Sequence, residues 1–227
     1  MVKSMVEMGF DAENAENQVF WGDSIMFAPQ VDFNWMKSPF AHVLCPVDMF
    51  DIETGIKCNS RKTLQKVEMG SLPRIPVFLL AGNIIFRQME TKSTLTETRK
   101  SPFRVEIAIN SDLKSDFLTK TIFWDNDDNL DFQTNHFLLK ASFDSSTFSI
   151  QISADQSADG FDTPDVDEVI IYSSNTDQCP DYYRISFGID RNDPDSTIST
   201  ALKVKKEKID ASSLEYEMRL NLRIARI

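Results

Sequence analysis

The sequence predicts an all-β chain built as two tandem antiparallel β-sandwich domains, and three observations carry that prediction. Apolar residues repeat with a period of two over several separate segments, a spacing that no helix sustains. Those segments are short, and polar or turn-forming residues divide them. No stretch shows the three-to-four spacing that lays an apolar helix face on a core. Short alternating strands broken by polar turns form sheet-on-sheet layers.

Residues 1–18 combine a short apolar segment, MVKSMVEMGF, with a polar stretch, and stand apart from the first sandwich. Gly22 and Asp23 form a turn into a mainly apolar strand that Pro29 stops. Between Ala41 and Gly55 an apolar run, a proline and the Thr54-Gly55 turn predict two short strands, and Thr63 to Met69 a further one. The stretch from Ile75 to Phe103 organises the chain. Val77 to Leu80 has the length of a buried strand, closed by Pro76 and by Gly82, whose freedom at positive φ lets the chain turn back on itself into a second apolar run. Glu90 to Ser101 is the longest polar interruption in the middle of the chain. The join is placed there, giving sandwiches at 19–98 and 99–227.

In the second sandwich Phe103, Val105, Ile107 and Ile109 face one way and Arg104 and Glu106 the other, which predicts a half-buried strand. The pattern recurs with Phe148, Ile150 and Ile152, and with Tyr183, Ile185, Phe187 and Ile189. It is longest at Leu214, Tyr216, Met218, Leu220, Leu222 and Ile224. Each is the signature of an antiparallel sheet with one face covered. The acidic, turn-rich stretches 155–167, 175–181 and 190–196 are expected as surface loops.

With 227 residues, 41% hydrophobic content and seventeen Phe, the chain can bury a core. Its 24 basic and 35 acidic residues give a net charge of −11, spread along the chain, which argues against binding nucleic acid or an anionic membrane. No apolar run reaches the roughly 18 residues that span a bilayer, and Met1 to Gly22 lacks the basic start and long apolar centre of a signal peptide. Cys45, Cys58 and Cys179 match no paired CxxC pattern. The reading is of buried or idle thiols, with a Cys45–Cys58 bridge as the alternative in an oxidising compartment.

The residue types that carry chemistry form no complete site. Asp125, Asp127, Asp128 and Asp131 cluster, but a calcium loop counted from Asp125 puts Leu130 where the sharp turn needs Gly, and His136 where a bidentate Glu should close it. A solvated acidic turn is the simpler reading. His42 and His136 have no Cys or repeated acid at ligand spacing, so structural or surface roles are expected and neither a metal nor another cofactor is. Trp21, Trp35 and Trp124 fit core packing first and a sugar-stacking platform second. No GxSxG elbow points to a hydrolytic triad.

The central stretch IPVFLLAGNIIFRQMETKSTLTETRKSPF resembles IPVFxRGGxIxPRQ followed by TTxESRKxPF, found in the β-rich region after the catalytic barrel of glycoside hydrolase family 31. Gly22, Ile25, Ala28 and Pro29 resemble its QxLxGxxLLVxPV, and Val43, Pro46, Asp51, Thr54 and Gly55 its VYxPxGxWYDxxTG. Within the family, His136 to Ile171 resembles the α subunits of endoplasmic-reticulum glucosidase II. It shares Phe137, Leu138, Leu139 and Phe143, then Ser153, Ala154 and Asp155, then Gly160, Phe161, Thr163 and Pro164. Two departures stand out: Leu80-Ala81-Gly82 replaces Arg-Gly-Gly, and Asp127 replaces a turn glycine.

The resemblance implies proximal and distal C-terminal sandwiches, with residues 1–18 leaving the barrel. It implies a parent α-glucosidase that trims glucose from N-glycans in the endoplasmic reticulum, with its own barrel and a glucosidase II β subunit as partners and carbohydrate as ligand. Family enzymes retain configuration with two barrel aspartates about 5 to 5.5 Å apart, one of them in a WxDMNE-like strand. Neither motif is present here. No catalytic residue is therefore assigned, and the chain alone is expected to be inactive. A free-standing carbohydrate-binding sandwich or a non-catalytic interaction protein is the alternative.

Overall fold

The computed structural model describes residues 18–29, 40–59, 64–68, 74–110, 117–125, 136–144, 149–156, 166–173, 182–189, 197–203, 206–207 and 217–220. Strands dominate them. The first to form are β1 (Val19–Trp21), β2 (Ile25–Phe27), β3 (Phe40–Val43), β4 (Met49–Asp51), β5 (Lys57–Cys58), β6 (Gln65–Glu68) and β7 (Val77–Leu80). After β8 (Asn83–Gln88) comes one short helix, α1 (Leu95–Thr98), then β9 (Phe103–Ala108), β10 (Phe117–Asp125), β11 (His136–Asp144) and β12 (Ser149–Gln156). The remainder are β13 (Val166–Tyr172), β14 (Tyr182–Ile189), β15 (Thr197–Lys203), β16 (Lys206–Glu207) and β17 (Glu217–Leu220).

These strands make four layers. A ribbon of β3 and β6 packs on sheet I, ordered β1-β2-β7-β4-β5. Sheet II, ordered β16-β17-β13-β9-β8, and sheet III, ordered β10-β11-β12-β14-β15, complete the stack. Period-two alternation supplies a core at each junction, because successive side chains leave a strand on opposite faces. Met26, Val43, Met49, Val67 and Phe78 fill the space between ribbon and sheet I. Phe50 and Leu79 meet Ile85, Ala108, Ile170 and Tyr172 between sheets I and II. The largest core joins Val105, Ile107, Val169 and Ile171 of sheet II to Leu139, Phe143 and Ile150 of sheet III.

The all-β class and the sandwich layers agree with the sequence, but four details differ. The turn after β7 does not make a hairpin. Both sides of β7 are already taken by β2 and β4, so β8 leaves sheet I and pairs along its length with β9. Gly82 makes this transfer at φ +82°, its amide donating to the Ala108 carbonyl at 2.7 Å. The β8–β9 ladder thus pairs residues 83–88 with residues 103–108.

Second, β9 is buried on both faces rather than half-buried. Val105 and Ile107 face sheet III, and Glu106 faces sheet I with no exposure at all. Third, β9 pairs with β13, and β12 with β14, in parallel. The chain switches sheets between each pair, so the second strand re-enters its sheet running the same way as the first; apolar alternation carries no record of such crossovers.

Fourth, Cys45 and Cys58 form a disulfide, Cα to Cα 6.2 Å, where idle thiols were expected. Cys58 sits opposite Met49 on the ribbon-facing side of sheet I, and the chain leaving β3 brings Cys45 into the same buried core. The polar stretch before β9 folds as α1, started by the Thr94 hydroxyl accepting from the Glu97 amide. Cys179, Trp35, residues 1–17, most of the three acidic loops and much of the final alternating run lie outside the described residues.

Candidate functional site

The densest polar grouping lies in the junction between sheets I and II. Neighbouring strands β8, β9 and β13 supply it, with Arg87, Arg104 and Glu168 side by side in one row and Glu106 in the next. Arg87 Nε donates to Glu106 Oε1 at 2.8 Å, and a terminal nitrogen of the same guanidinium lies 2.7 Å from that oxygen. Arg104 stands 4.0 Å from it and pairs with Glu168. The other oxygen of Glu106 lies 3.1 Å from the Tyr172 hydroxyl. Burial pushes the Glu106 carboxyl above its ordinary pKa, with Arg87 the main opposing influence.

Tyr172 ties the junction together. Its ring stacks on Phe50 of sheet I at 5.6 Å, and its hydroxyl also lies 3.3 Å from the Ile52 carbonyl just beyond β4. An acid this deep cannot meet a sugar while the junction is closed; its partners Arg87, Arg104 and Tyr172 all lie in sheet II, and Tyr172 alone of them reaches sheet I.

A second buried acid, Asp51, ends β4. Arg74 grips both its oxygens, and one of them also accepts from the amides of Glu53 and Thr54 at 2.9 and 3.0 Å. This is the turn that Thr54-Gly55 predicts, with Gly55 at φ 73°. At the far side the β1–β2 turn reaches sheet III, where Lys120 Nζ lies 3.0 Å from Asp23. The Ser24 hydroxyl and Lys120 lower the Asp23 carboxyl to about 2.

The residues singled out from sequence are dispersed. His42 is exposed on β3, and His136 stacks on Phe123 at 4.7 Å. Trp124 packs edge-on to Phe103 at 4.9 Å with the Arg99 guanidinium 4.4 Å over its ring, a core and capping role. Trp21, by contrast, is 71% exposed beside Phe27. Asp125 ends β10, and Asp127, Asp128 and Asp131 lie outside the described residues. Among the described residues, no group of three His, Cys, Asp or Glu could hold a metal. Sequence reading missed Glu106 and Tyr172. The signal available was Ala108, which follows Glu106 on the supposedly solvated face and is small and apolar.

Neither a protein-family model nor a curated protein matches the sequence. Solved structures do match. A glucosidase II alpha subunit in an alpha3-Glc2-bound form aligns over 91% of this chain and 22% of its own, with TM-score 0.65 and 13% identity. The chain has the fold of part of a family 31 glycoside hydrolase. The same fold recurs in the GH31 dextranase from Flavobacterium johnsoniae, over 85% of this chain and 26% of its own, at TM-score 0.55 and 16% identity. It recurs again in the GH31 alpha-xylosidase from Xanthomonas citri, over 82% and 19%, at 0.51 and 14%. The chain therefore spans between 19% and 26% of the length of these family 31 enzymes. At such identities the likeness is one of fold.

Proposed function

We propose that this chain is the C-terminal accessory region of a retaining α-glucosidase of family 31, and that it buttresses a catalytic barrel carried elsewhere. The observation that carries this reading is the near-complete overlay on about a fifth of the glucosidase II alpha subunit. The layers also suit a support. Tyr172 of sheet II stacks on Phe50 and places its hydroxyl 3.3 Å from the Ile52 carbonyl of the turn after β4, and Lys120 ties sheet III to the β1–β2 turn, so the stack can transmit load as one body. The two units are the proximal sandwich, residues 19–98, and the distal one, 99–227, with β8 shared across their boundary.

The parent enzyme would remove α-linked glucose from N-glycans in the endoplasmic reticulum. The Cys45–Cys58 bridge supports an oxidising compartment of this kind. A regulatory partner is supported by another neighbour, the heterodimeric complex of the glucosidase II catalytic subunit with the binding domain of its regulatory subunit. The test is co-expression: a family 31 barrel lacking its own sandwiches should become soluble and active with this chain, and an unchanged insoluble barrel would overturn the reading. A second reading, a free-standing carbohydrate-binding sandwich, is favoured by the exposed Trp21, since aromatic faces stack on pyranose rings. Glycan-array binding that Trp21→Ala abolishes would establish it instead.

A further inference from the structure

The Tyr172 hydroxyl stands between two acceptors, Glu106 Oε2 at 3.1 Å and the Ile52 carbonyl at 3.3 Å. A phenol has one proton to give. Glu106 belongs to sheet II and Ile52 to the turn after β4 of sheet I, so the direction of that proton decides whether the bond stays within one layer or joins two.

We propose that Glu106 and Tyr172 form a proton-dependent latch between sheets I and II. While Glu106 is ionised its oxygens only accept, and the Tyr172 proton is drawn to the charged acceptor, which binds a donor about twice as strongly as a neutral one. When Oε2 takes a proton from solvent, the carboxyl becomes a donor. Tyr172 then accepts from Glu106 and turns its own proton to the Ile52 carbonyl. One bond inside sheet II is replaced by a two-bond chain that ends on sheet I, at the cost of one proton taken up.

The surrounding charges set when this happens. Arg87 from β8 holds Oε1 in both states, and Arg104 from β9 lies 4.0 Å away with Glu168 from β13 pairing it. Sheet I presents the Phe50 ring and the Ile52 carbonyl, while Asp51 on that strand is engaged by Arg74, which also lies 3.5 Å from Glu53. The arginines favour the ionised form and burial the neutral one. Burial is the larger influence, so Glu106 takes up its proton above the ordinary carboxyl value as pH falls, and the latch closes.

Hydrogen exchange of the full chain, followed by mass spectrometry and corrected for the intrinsic pH dependence of exchange, tests this. Protection of 49–56 in the wild type should rise about five- to tenfold between about pH 7.5 and 4.5. Glu106→Gln, whose amide donates to Tyr172 at every pH, should hold the acid-level protection throughout. Tyr172→Phe should stay at the low level at every pH. Wild-type protection that ignores pH would overturn the latch, and so would Tyr172→Phe matching the wild type. Should Tyr172→Phe not fold, Glu106→Gln decides alone: a pH response like the wild type's overturns the proposal.

Discussion

Arg74 closes on the fully buried carboxylate of Asp51 through two bonds, 2.6 and 3.2 Å long, from a segment 23 residues further along the chain. The two-pronged geometry matches the guanidinium fork to both oxygens and fixes the chain entering β7 beside the turn that leaves β4. Removing Arg74 would leave the Asp51 charge inside the protein with only backbone donors. Arg74→Ala should therefore lower stability by about 3 to 5 kcal/mol, read as a shift in denaturant midpoint at unchanged slope. A loss under about 0.5 kcal/mol would mean that the pair behaves as a surface contact.

The Cys45–Cys58 bridge closes a loop with a sequence separation of 13 in a core where the two residues are 0% and 2% exposed. A loop of that size stabilises by about 3 kcal/mol in the chain-entropy account. Cys58→Ser should cost about that much, and thiol titration of the wild-type chain in denaturant should find one free cysteine before reduction and three after. Three free thiols without reductant would show the bridge absent.

Ile107 lies at 0% exposure in the core between sheets II and III. Its truncation removes most of a side chain where facing strands limit collapse, so Ile107→Ala should destabilise by about 2 to 5 kcal/mol in equilibrium unfolding. Val105→Ala should act in the same direction, since the alternation places it on that face.

That face of β9 was legible in the sequence because alternation fixes which residues share a side. The other face was not. Sequence reading sent Glu106 to solvent because a charged residue in a strand is normally solvated. Only the arrival of a second sheet, bringing Phe50 and Ile52 over Tyr172, buries it. The same limit explains the turn at Gly82, which sequence reveals as a turn but not as a transfer between layers. Pairing partners are non-local, so neither the parallel β9–β13 ladder nor the meeting of Cys45 with Cys58 leaves a local mark. Trp21 and Trp124 show the matching ambiguity for aromatics, since one is exposed and the other packed on Phe103.

Asp23 and Glu106 should bend the pH–stability profile in opposite directions. Asp23 is depressed to about 2 by Ser24 and Lys120, so its contribution is present above its ordinary value of 3.8 and is lost as pH falls toward 2. Solvent around this exposed carboxylate keeps that contribution small. Glu106 is raised by burial, so the folded state binds its proton more tightly, and stability from this residue falls as pH rises above the ordinary value of 4.5. Asp23→Asn should flatten the acid limb of the melting-temperature profile, and Glu106→Gln the limb above it. Profiles that keep both slopes in both variants would show that neither acid is the titrating group.

The last expectation concerns hydrolysis. Retention needs one carboxylic acid to protonate the leaving oxygen and one carboxylate to attack the anomeric carbon, about 5 to 5.5 Å apart across a sugar-sized opening. The buried acids described in this chain are committed otherwise: Asp51 to Arg74, Glu106 to Arg87 and Tyr172. Neither opens on a cleft, and the sequence carries no WxDMNE-like strand. The purified chain should release no glucose from an aryl α-glucoside or a glucosylated glycan above a buffer blank. Turnover abolished by replacing Asp125, Asp127, Asp128 or Asp131 would make that acidic stretch catalytic and overturn the accessory reading. Glucose release only when a separately expressed barrel is added would be the expected outcome, because the chemistry would then belong to the barrel and the rigidity to the sandwiches.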